Sequence, residues 1–472
     1  MREEVTKAIS YALSNNIQIH PSVIDVLEDV DSTKLMRIMR DIIIQKNRQR
    51  NSLITREDVE IALGVKESLG VTAAFDVLFD PSPNIASGEG IDGYGTLFKN
   101  RYEELCKIIS QRPEAKNLRS IISLKGTKKP NTEMYVCGLV MERRAEEDRA
   151  IFKLDDPTGN TELAAYDEKV IEKISLLLDD QLVMVKVIES KKGNLIAKDV
   201  ILPGVISSEK NRSETDTYAA FVSDLHIGSK FFMENEFNAF VDWLSSQDPK
   251  AKKVRFLIIG GDLLDGVGIY KDQNKELIYQ TIEEQLEKAY EILCRMPKHI
   301  QIFISPGNHD PGRRALPQPA IPKKYHAKIW ERSNITMIGN PAMVALNGVK
   351  VLIYHGQSID DLVRTTPGMI YENPTKVMTH LLKARHLGTI FGGTTPIAPE
   401  TKDMLVIDDV PDIFQTGHVH ISGIEVYKGI LLLNAGTWQK QTGYQSSVGI
   451  TPTPGIAILV NLKTLKPDYF TN

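Results

Sequence analysis

Cysteine is scarce in this chain: Cys106, Cys137 and Cys294 are the three among 472 residues. They lie far apart, are odd in number and form no CxxC pair. That excludes a disulfide framework and a zinc ribbon as organising devices and points to a reducing, intracellular setting. Long apolar runs are missing as well. No stretch of about 18 uncharged apolar residues occurs, so no membrane span is expected. The opening MREEVTKAISYALSNN is amphipathic and lacks the apolar centre of a signal peptide, which makes a cytoplasmic location the expectation. A basic charge balance is also absent. With a formal net charge of −4, any contact with nucleic acid must come from a local patch or from a partner.

What is present is enough chain for two or three domains. Residues 1–65 read as a small helical bundle, with Val5, Ile9 and Leu13 at helical spacing and a second stripe of Leu35, Ile38, Met39 and Ile42. Thr55 with Asp58 resembles a capping box before Val59, Ile61 and Leu63, and Gly64 suits the stop. Residues 66–95 lose this periodicity. Their end, DPSPNIASGEGIDGYG, has the Pro, Gly and Ser content of a linker. A helix is expected over 97–111, and residues 96–206 form the next domain. Its strands MYVCGLVM, AIFKLDD and TELAAYD, helix EKVIEKISLLL and strands QLVMVKVIES and NLIAKDVIL follow the order βββαββ, that of an OB-fold barrel. Such barrels often bind single strands through aromatics. Here Tyr135, Phe152 and Tyr166 are few, so an architectural and a nucleic-acid-contacting barrel both stay open. Residues 215–472 change texture again. The apolar runs YAAFV, VRFLIIG, IQIFIS, KVLIY, DIFQT, ILLLNA and GIAILV alternate with helical stretches, as in an α/β domain.

Five of these runs lead straight into metal-competent residues. YAAFVS precedes Asp224-Leu225-His226. VRFLII precedes Gly261-Asp262, with Asp265 three residues on. IQIFISP precedes Gly307-Asn308-His309-Asp310, VKVLIY precedes His355, and DIFQT precedes Gly417-His418-Val419-His420. Loops after the strands of an α/β sheet converge at one edge, where ligands bind. Imidazole and carboxylate donors suit Mn, Fe or Zn. A shared carboxylate can hold two cations about 3.5–4 Å apart, and Asp262, led directly into the site by its strand, is the natural bridge. A single DxH or GHxH is weak, since a histidine after a strand is usually no more than a polar strand end. Five such pieces, each after a buried-strand pattern, are hard to reach by chance.

The series D-x-H, GDxxD, GNHD, a later His and GHxH resembles that of the calcineurin-like metallophosphoesterases, and every metal position of that pattern is filled here. The resemblance implies a calcineurin-like α/β sandwich. It implies one divalent cation on Asp224, His226, Asp262 and His420, and a second on Asp262, Asn308, His355 and His418. Manganese is the first choice, with Fe, Zn or Mg also compatible. His309 would face the scissile phosphate, with Asp265 as the carboxylate that orients it. A barrel directly before this domain, with the segments YHGQSIDDLV, HLLKARHLGTIFGGTTPIAPE, DMLVIDDVPDIFQTGHVH and NAGTWQKQTGYQ, is similar to the small (B) subunits of replicative DNA polymerases, in particular the archaeal D-family ones. That narrower resemblance spans roughly 97–465. It implies a proofreading 3′→5′ exonuclease, a large catalytic subunit as heterodimer partner, and single-stranded or mismatched 3′ DNA ends as substrate.

Lys383, Arg385 and His386, in the helical stretch KVMTHLLKARHL, are candidate DNA contacts, set against a plain solvated helix face with Leu381 and Leu382 inward. The competing functions are a broad-specificity phosphodiesterase or phosphatase, and a structural polymerase subunit whose metal only stabilises the fold.

Overall fold

The structure, a computed structural model, describes residues 2–28, 30, 32–48, 52–62, 73–124, 132–207, 209–447 and 449–471. Two compact units emerge, Met1–Thr72 and Ala73–Asn472. In the first, helices Glu3–Ser14, Val23–Glu28, Ser32–Arg48 and Arg56–Ala62 surround a core of Val5, Ala8, Ala12, Leu35, Met39 and Ile42. The buried stripe of the first helix is therefore Val5, Ala8 and Ala12. Leu13 is 54% exposed and does not belong to it, because two small alanines let the helices approach on a neighbouring line of side chains. Asp58 accepts from the Thr55 backbone N–H at 2.6 Å, which is the acidic half of the expected cap. A short parallel pairing of Gln18–Ile19 with Leu53–Ile54 has no signal in the sequence pattern. Leu63, Gly64 and residues 66–72 of the expected linker lie outside the described residues.

In the second unit, five strands close a barrel: Glu133–Ala145, Ala150–Asp156, Gly159–Ala165, Leu195–Ile201 and Leu182–Glu189, with Leu182–Glu189 pairing back on Glu133–Ala145. Alternation drives it. Ala150, Phe152 and Leu154 bury while Ile151 and Lys153 face outward. Helix Glu168–Ser175, capped by Asp167, inserts Val170, Ile171 and Ile174 into the barrel core. Phe152 belongs to that core, which removes it from any stacking surface.

The remaining elements form a four-layer stack around two six-stranded sheets. Strands Tyr218–Val222, Val254–Gly260 and Gln301–Ser305 run parallel in the first; Val349–Ile353, Ile413–Thr416 and Ile430–Ala435 run parallel in the second. Both faces of each strand are buried, which is why they read as unbroken apolar runs. Phe221, Phe256, Ile258 and Phe303 of the first sheet pack against Val351, Ile353, Ile413 and Leu433 of the second. The alternate residues Val222, Leu257, Ile259 and Ile304 pack under Phe237, Phe240 and Leu286 of helices Glu234–Leu244 and Ile282–Arg295. On the far side, helix Pro374–Ala384 covers the second sheet with Val377, Met378 and Leu381. The architecture is thus mixed α/β, with a closed five-stranded barrel and several sheets. Among the described residues no helix is long and apolar enough to cross a membrane.

The 66–95 linker is corrected in its second half. Phe75–Phe79 is a strand that pairs antiparallel with Ala342–Leu346 at the edge of the second sheet. The Phe75 ring meets Phe303 edge-on at 5.1 Å, and Ala86 and Ser87 both bond the buried Glu400 carboxylate. The following helix begins at Gly90, well before residue 97. A variant starting at residue 73 is accordingly expected to melt like the second unit of the full chain. One starting at 97 loses an entire edge strand and its aromatic packing; with Phe75 37% exposed, each aromatic contributes only part of the roughly 1.5–3 kcal/mol of a fully buried side chain. Thermal melts of the two variants check this; equal melting temperatures would contradict the pairing.

Candidate metal centre

The ligand candidates stand at the carboxyl ends of strands from both sheets. Tyr218–Val222, Val254–Gly260 and Gln301–Ser305 deliver Asp224, His226, Asp262 and Asn308. Val349–Ile353 and Ile413–Thr416 deliver His355, His418 and His420. The single sheet edge expected from the sequence is therefore two facing sheet edges, since strand pairing is decided by contacts remote in the chain. Here the backbone is bent tightly. Asp224 (φ 54°), His226 (52°), Asp262 (50°), His418 (68°) and His420 (61°) are all left-handed. That region is sparsely populated outside glycine, with Asp, Asn and His the main visitors, and such strain gathers at functional sites. Glycine is required beside them: a Cβ on Gly307 would collide with the Asp262 carboxylate, and one on Gly417 with Asp224 and Ser223.

The side chains converge. Asp224, His226 and His420 form one group able to hold an ion, Asp262, His355 and His418 another, and His226, Asp262 and His309 a third that overlaps both. His226 Nε2 lies 3.0 Å from His420 Nε2. Asn308 Oδ1 lies 3.0 Å from both His355 Nε2 and His418 Nδ1. Asp262 belongs to two of these groups, with Oδ2 3.3 Å from His355 and 3.8 Å from His226, while its Oδ1 accepts from the His309 backbone N–H at 2.8 Å. Three of the imidazoles are steered from behind by an acceptor. His226 Nδ1 bonds Asp265 Oδ1 (3.1 Å), His355 Nδ1 bonds the Gly260 carbonyl (3.0 Å) and His418 Nε2 bonds Asp360 Oδ2 (3.0 Å). Such partners fix the tautomer so that the other nitrogen presents its lone pair to a metal.

The cluster's charge fits divalent cations. Asp224 is fully buried; among the described residues its Oδ1 makes no hydrogen bond within the geometric limits, with His420 Nε2 3.3 Å away, an arrangement that is costly unless positive charge meets that oxygen. Burial opposes ionisation of Asp224 and Asp262, yet surrounding imidazoles, His420 for the one and His355 with His309 for the other, hold both carboxyls below their usual range. Burial likewise works against protonation of His226 and His355. Asp265 and Asp262 nonetheless push His226 up to about 9, and Asp262 does the same for His355. The pocket thus favours positive charge between its carboxylates, a charge that a cation could carry in place of protons. A cavity of about 530 Å³ opens over the cluster, reached by His309 and Asp360.

The family model for the B subunits of DNA polymerases alpha and epsilon matches residues 219–421, a span that contains every member of the cluster. The DNA polymerase II small subunit of Pyrococcus furiosus is 37% identical over 90% of this chain and 70% of its own length. Those of Methanothermobacter thermautotrophicus and Thermoplasma acidophilum are 38% and 34% identical, over 83% and 97% of this chain and 82% and 91% of theirs. The chain belongs to the DNA polymerase II small subunit family. As one of these small subunits it carries three polar residues at the centre that the strand-end motifs do not flag. Asp360, five residues past His355 in YHGQSIDDLV, orients His418. Gln439 bonds Asp265 Oδ1 at 3.0 Å, and Gln445 lies 2.7 Å from His420 Nδ1. All three fall inside the segments that carry the resemblance, which is the signal that could have found them. Asp310, the last residue of the GNHD motif, has a structural part instead. Its buried carboxylate accepts from Gly307, Leu263 and Leu264, tying the Asn308 loop to the Asp262 loop.

Two expectations need correction. Asp265 does not turn its carboxylate to His309; that group serves His226, and the Asp265 backbone carbonyl takes the His309 Nδ1 proton at 2.7 Å. The reason is reach: the shared loop brings main chain, not side chain, up to His309. The expected DNA contacts are largely internal. His386 is fully buried against Asp403 (3.0 Å), and Arg385, in a left-handed helix cap, donates to the Asp408 carbonyl and is 5% exposed. Lys383 is half-buried. Asp403 also holds the fully buried Arg101 at 2.7 Å, fastening helix Gly90–Ile109 to this region. Although burial opposes it, His386 and Arg101 keep the Asp403 carboxyl well below the usual range. Its contribution to stability is therefore complete above pH about 4 and is lost as pH falls below the unfolded-state value. Asp403→Ala leaves Arg101 buried without its counter-charge, and about 3–5 kcal/mol of stability should go with it. Urea unfolding at pH 7 measures this; a loss under about 1 kcal/mol would show that the pair is solvated.

Proposed function

We propose that this DNA polymerase II small subunit is a two-metal 3′→5′ exonuclease that removes unpaired 3′ nucleotides for a large polymerase subunit. The observation that carries the reading is the convergence of Asp224, His226, Asp262, Asn308, His355, His418 and His420, with Asp262 shared by two of three ion-holding groups and an open cavity above. The two sheets are read as a calcineurin-like phosphoesterase sandwich and the barrel as an OB-fold. Asp224, His226, Asp262 and His420 would hold one cation, and Asp262, Asn308, His355 and His418 the other, manganese being favoured. When bound, such cations acidify water and neutralise phosphoryl charge.

The chain's own residues supply the rest. Asp265, Gly260 and Asp360 lock three imidazoles in ligating tautomers. His309, its Nδ1 proton fixed on the Asp265 carbonyl, has Nε2 left for the substrate. Burial keeps the His309 imidazole below its usual pKa, and an arriving phosphodiester anion favours the protonated form. Nε2–H then stabilises the phosphoryl oxygens and delivers its proton to the departing 3′-oxygen. Water oxygen bonds phosphorus and releases one proton as the P–O3′ bond breaks; a proton returns to His309 to replace the one it gave the 3′-oxygen, and a nucleoside 5′-monophosphate leaves.

The test uses an oligonucleotide with a 5′ label and a mismatched 3′ end. Stepwise shortening with Mn²⁺ and its abolition by EDTA are expected. No shortening, by the chain alone or together with its large subunit, rejects the reading.

A further inference from the structure

We infer that the cavity over the cluster contains a stacking subsite for the base of an unpaired nucleotide, with Tyr444 as its platform. The inference rests on the phosphodiesterase reading for the position of the phosphate. The cavity is lined both by the histidine and carboxylate cluster and by tyrosine and aliphatic side chains, Tyr270, Tyr371, Tyr444, Ile269 and Ile450. Each tyrosine is tied to the cluster. Tyr444 sits on the short helix Gly443–Ser447 beside Gln445, whose amide is 2.7 Å from His420. Tyr371 lies beside Asp360, the carboxylate that orients His418, and burial together with that neighbour pushes its hydroxyl pKa up. Tyr270, its hydroxyl anchored on Glu276 at 2.8 Å, has its ring 6.4 Å from that of His309.

Tyr270 and Tyr371 are thus partly committed to neighbours. Tyr444 is 64% exposed, a large aromatic surface held one residue from a ligand contact. A charged phosphate suits the cluster and a flat apolar base suits the rings. The volume of about 530 Å³ is that of a small-ligand site, matched to one nucleotide rather than to a stretch of duplex. The occupant is then a single unstacked nucleotide. This gives a physical basis for choosing frayed over paired ends: a paired terminal base must first leave its helix to reach Tyr444.

The experiment compares two fluorescent single-stranded oligonucleotides, alike except that one lacks the base of its terminal 3′ nucleotide. Binding is measured by anisotropy in EDTA, where no hydrolysis occurs and repulsion by the cluster's carboxylates cancels in the ratio. Stacking is worth about 1–3 kcal/mol per base, so the normal end should bind roughly 5- to 150-fold tighter. In Tyr444→Ala that preference should fall towards one, and in Tyr444→Phe it should persist. Equal binding of the two ends by the unaltered protein, or an unchanged preference in Tyr444→Ala, overturns the subsite. Cleavage of the normal end with Mn²⁺ is scored separately, so failure of the hydrolytic reading and failure of the stacking subsite are read from different measurements.

Discussion

Asp262→Ala is expected to strip the protein of both cations and bring 3′-end cleavage to the limit of detection. The carboxylate belongs to two of the ion-holding groups, 3.3 Å from His355 and 3.8 Å from His226. Its loss also leaves four imidazoles without the negative charge that drew them together. Elemental analysis of dialysed protein beside single-turnover cleavage reads both effects. Because Asp262 also accepts the His309 N–H, a thermal melt of the variant must show that the fold has survived. A folded variant that keeps its metal and its cleavage would remove Asp262 from the bridging role.

The second large effect separates two residues that a motif comparison would group. His309→Ala should keep its metal and lose about 10²–10³-fold in turnover, the usual cost of removing a transition-state donor. Asp265→Asn should behave otherwise. Its carboxylate holds His226, so metal affinity should fall about 10- to 100-fold, and excess Mn²⁺ should restore the rate. Its bond to His309 comes from the backbone and survives the substitution. The two losses should therefore combine independently at subsaturating metal. Loss of a metal equivalent in His309→Ala would make His309 a ligand. A rate in Asp265→Asn that excess metal cannot recover would return Asp265 to the role of orienting His309.

The strands that carry the centre were legible because both of their faces are buried. YAAFV, VRFLIIG and IQIFIS are dominated by apolar residues, with Arg255, Gln301 and Ser305 confined to or near their ends, and the metal-competent residues after each stand out. Their division between two sheets was not legible, since Phe221 meeting Ile353 across a shared core is a contact of residues more than a hundred positions apart. Phe75–Phe79 was hidden for a different reason. It is a short edge strand, half exposed, and the Pro- and Gly-rich stretch behind it outweighed five residues of apolar pattern. The basic residues near 385 misled because charge was taken as a sign of exposure. Arg385 and His386 are instead held inside by acceptors, Asp408 and Asp403, that lie about twenty positions further on. Asp265 shows the finest limit. Its placement behind the site was legible, but which of its oxygens meets which histidine depends on the path of one loop.

The left-handed turns at Asp224, His226, Asp262, His418 and His420 also restrict how this centre can be retuned. Aspartate, asparagine and histidine occupy that backbone region far more readily than bulky or β-branched residues do. A cysteine introduced at 418 or 420, to favour a softer ion, would have to satisfy the metal and an unfavourable main-chain angle together. Metal preference in this scaffold is therefore more open to change through the residues behind the histidines, Asp360 and Gln445 among them. Their side chains can be exchanged without disturbing a strained backbone, so selection experiments for altered ion use should gather their substitutions there.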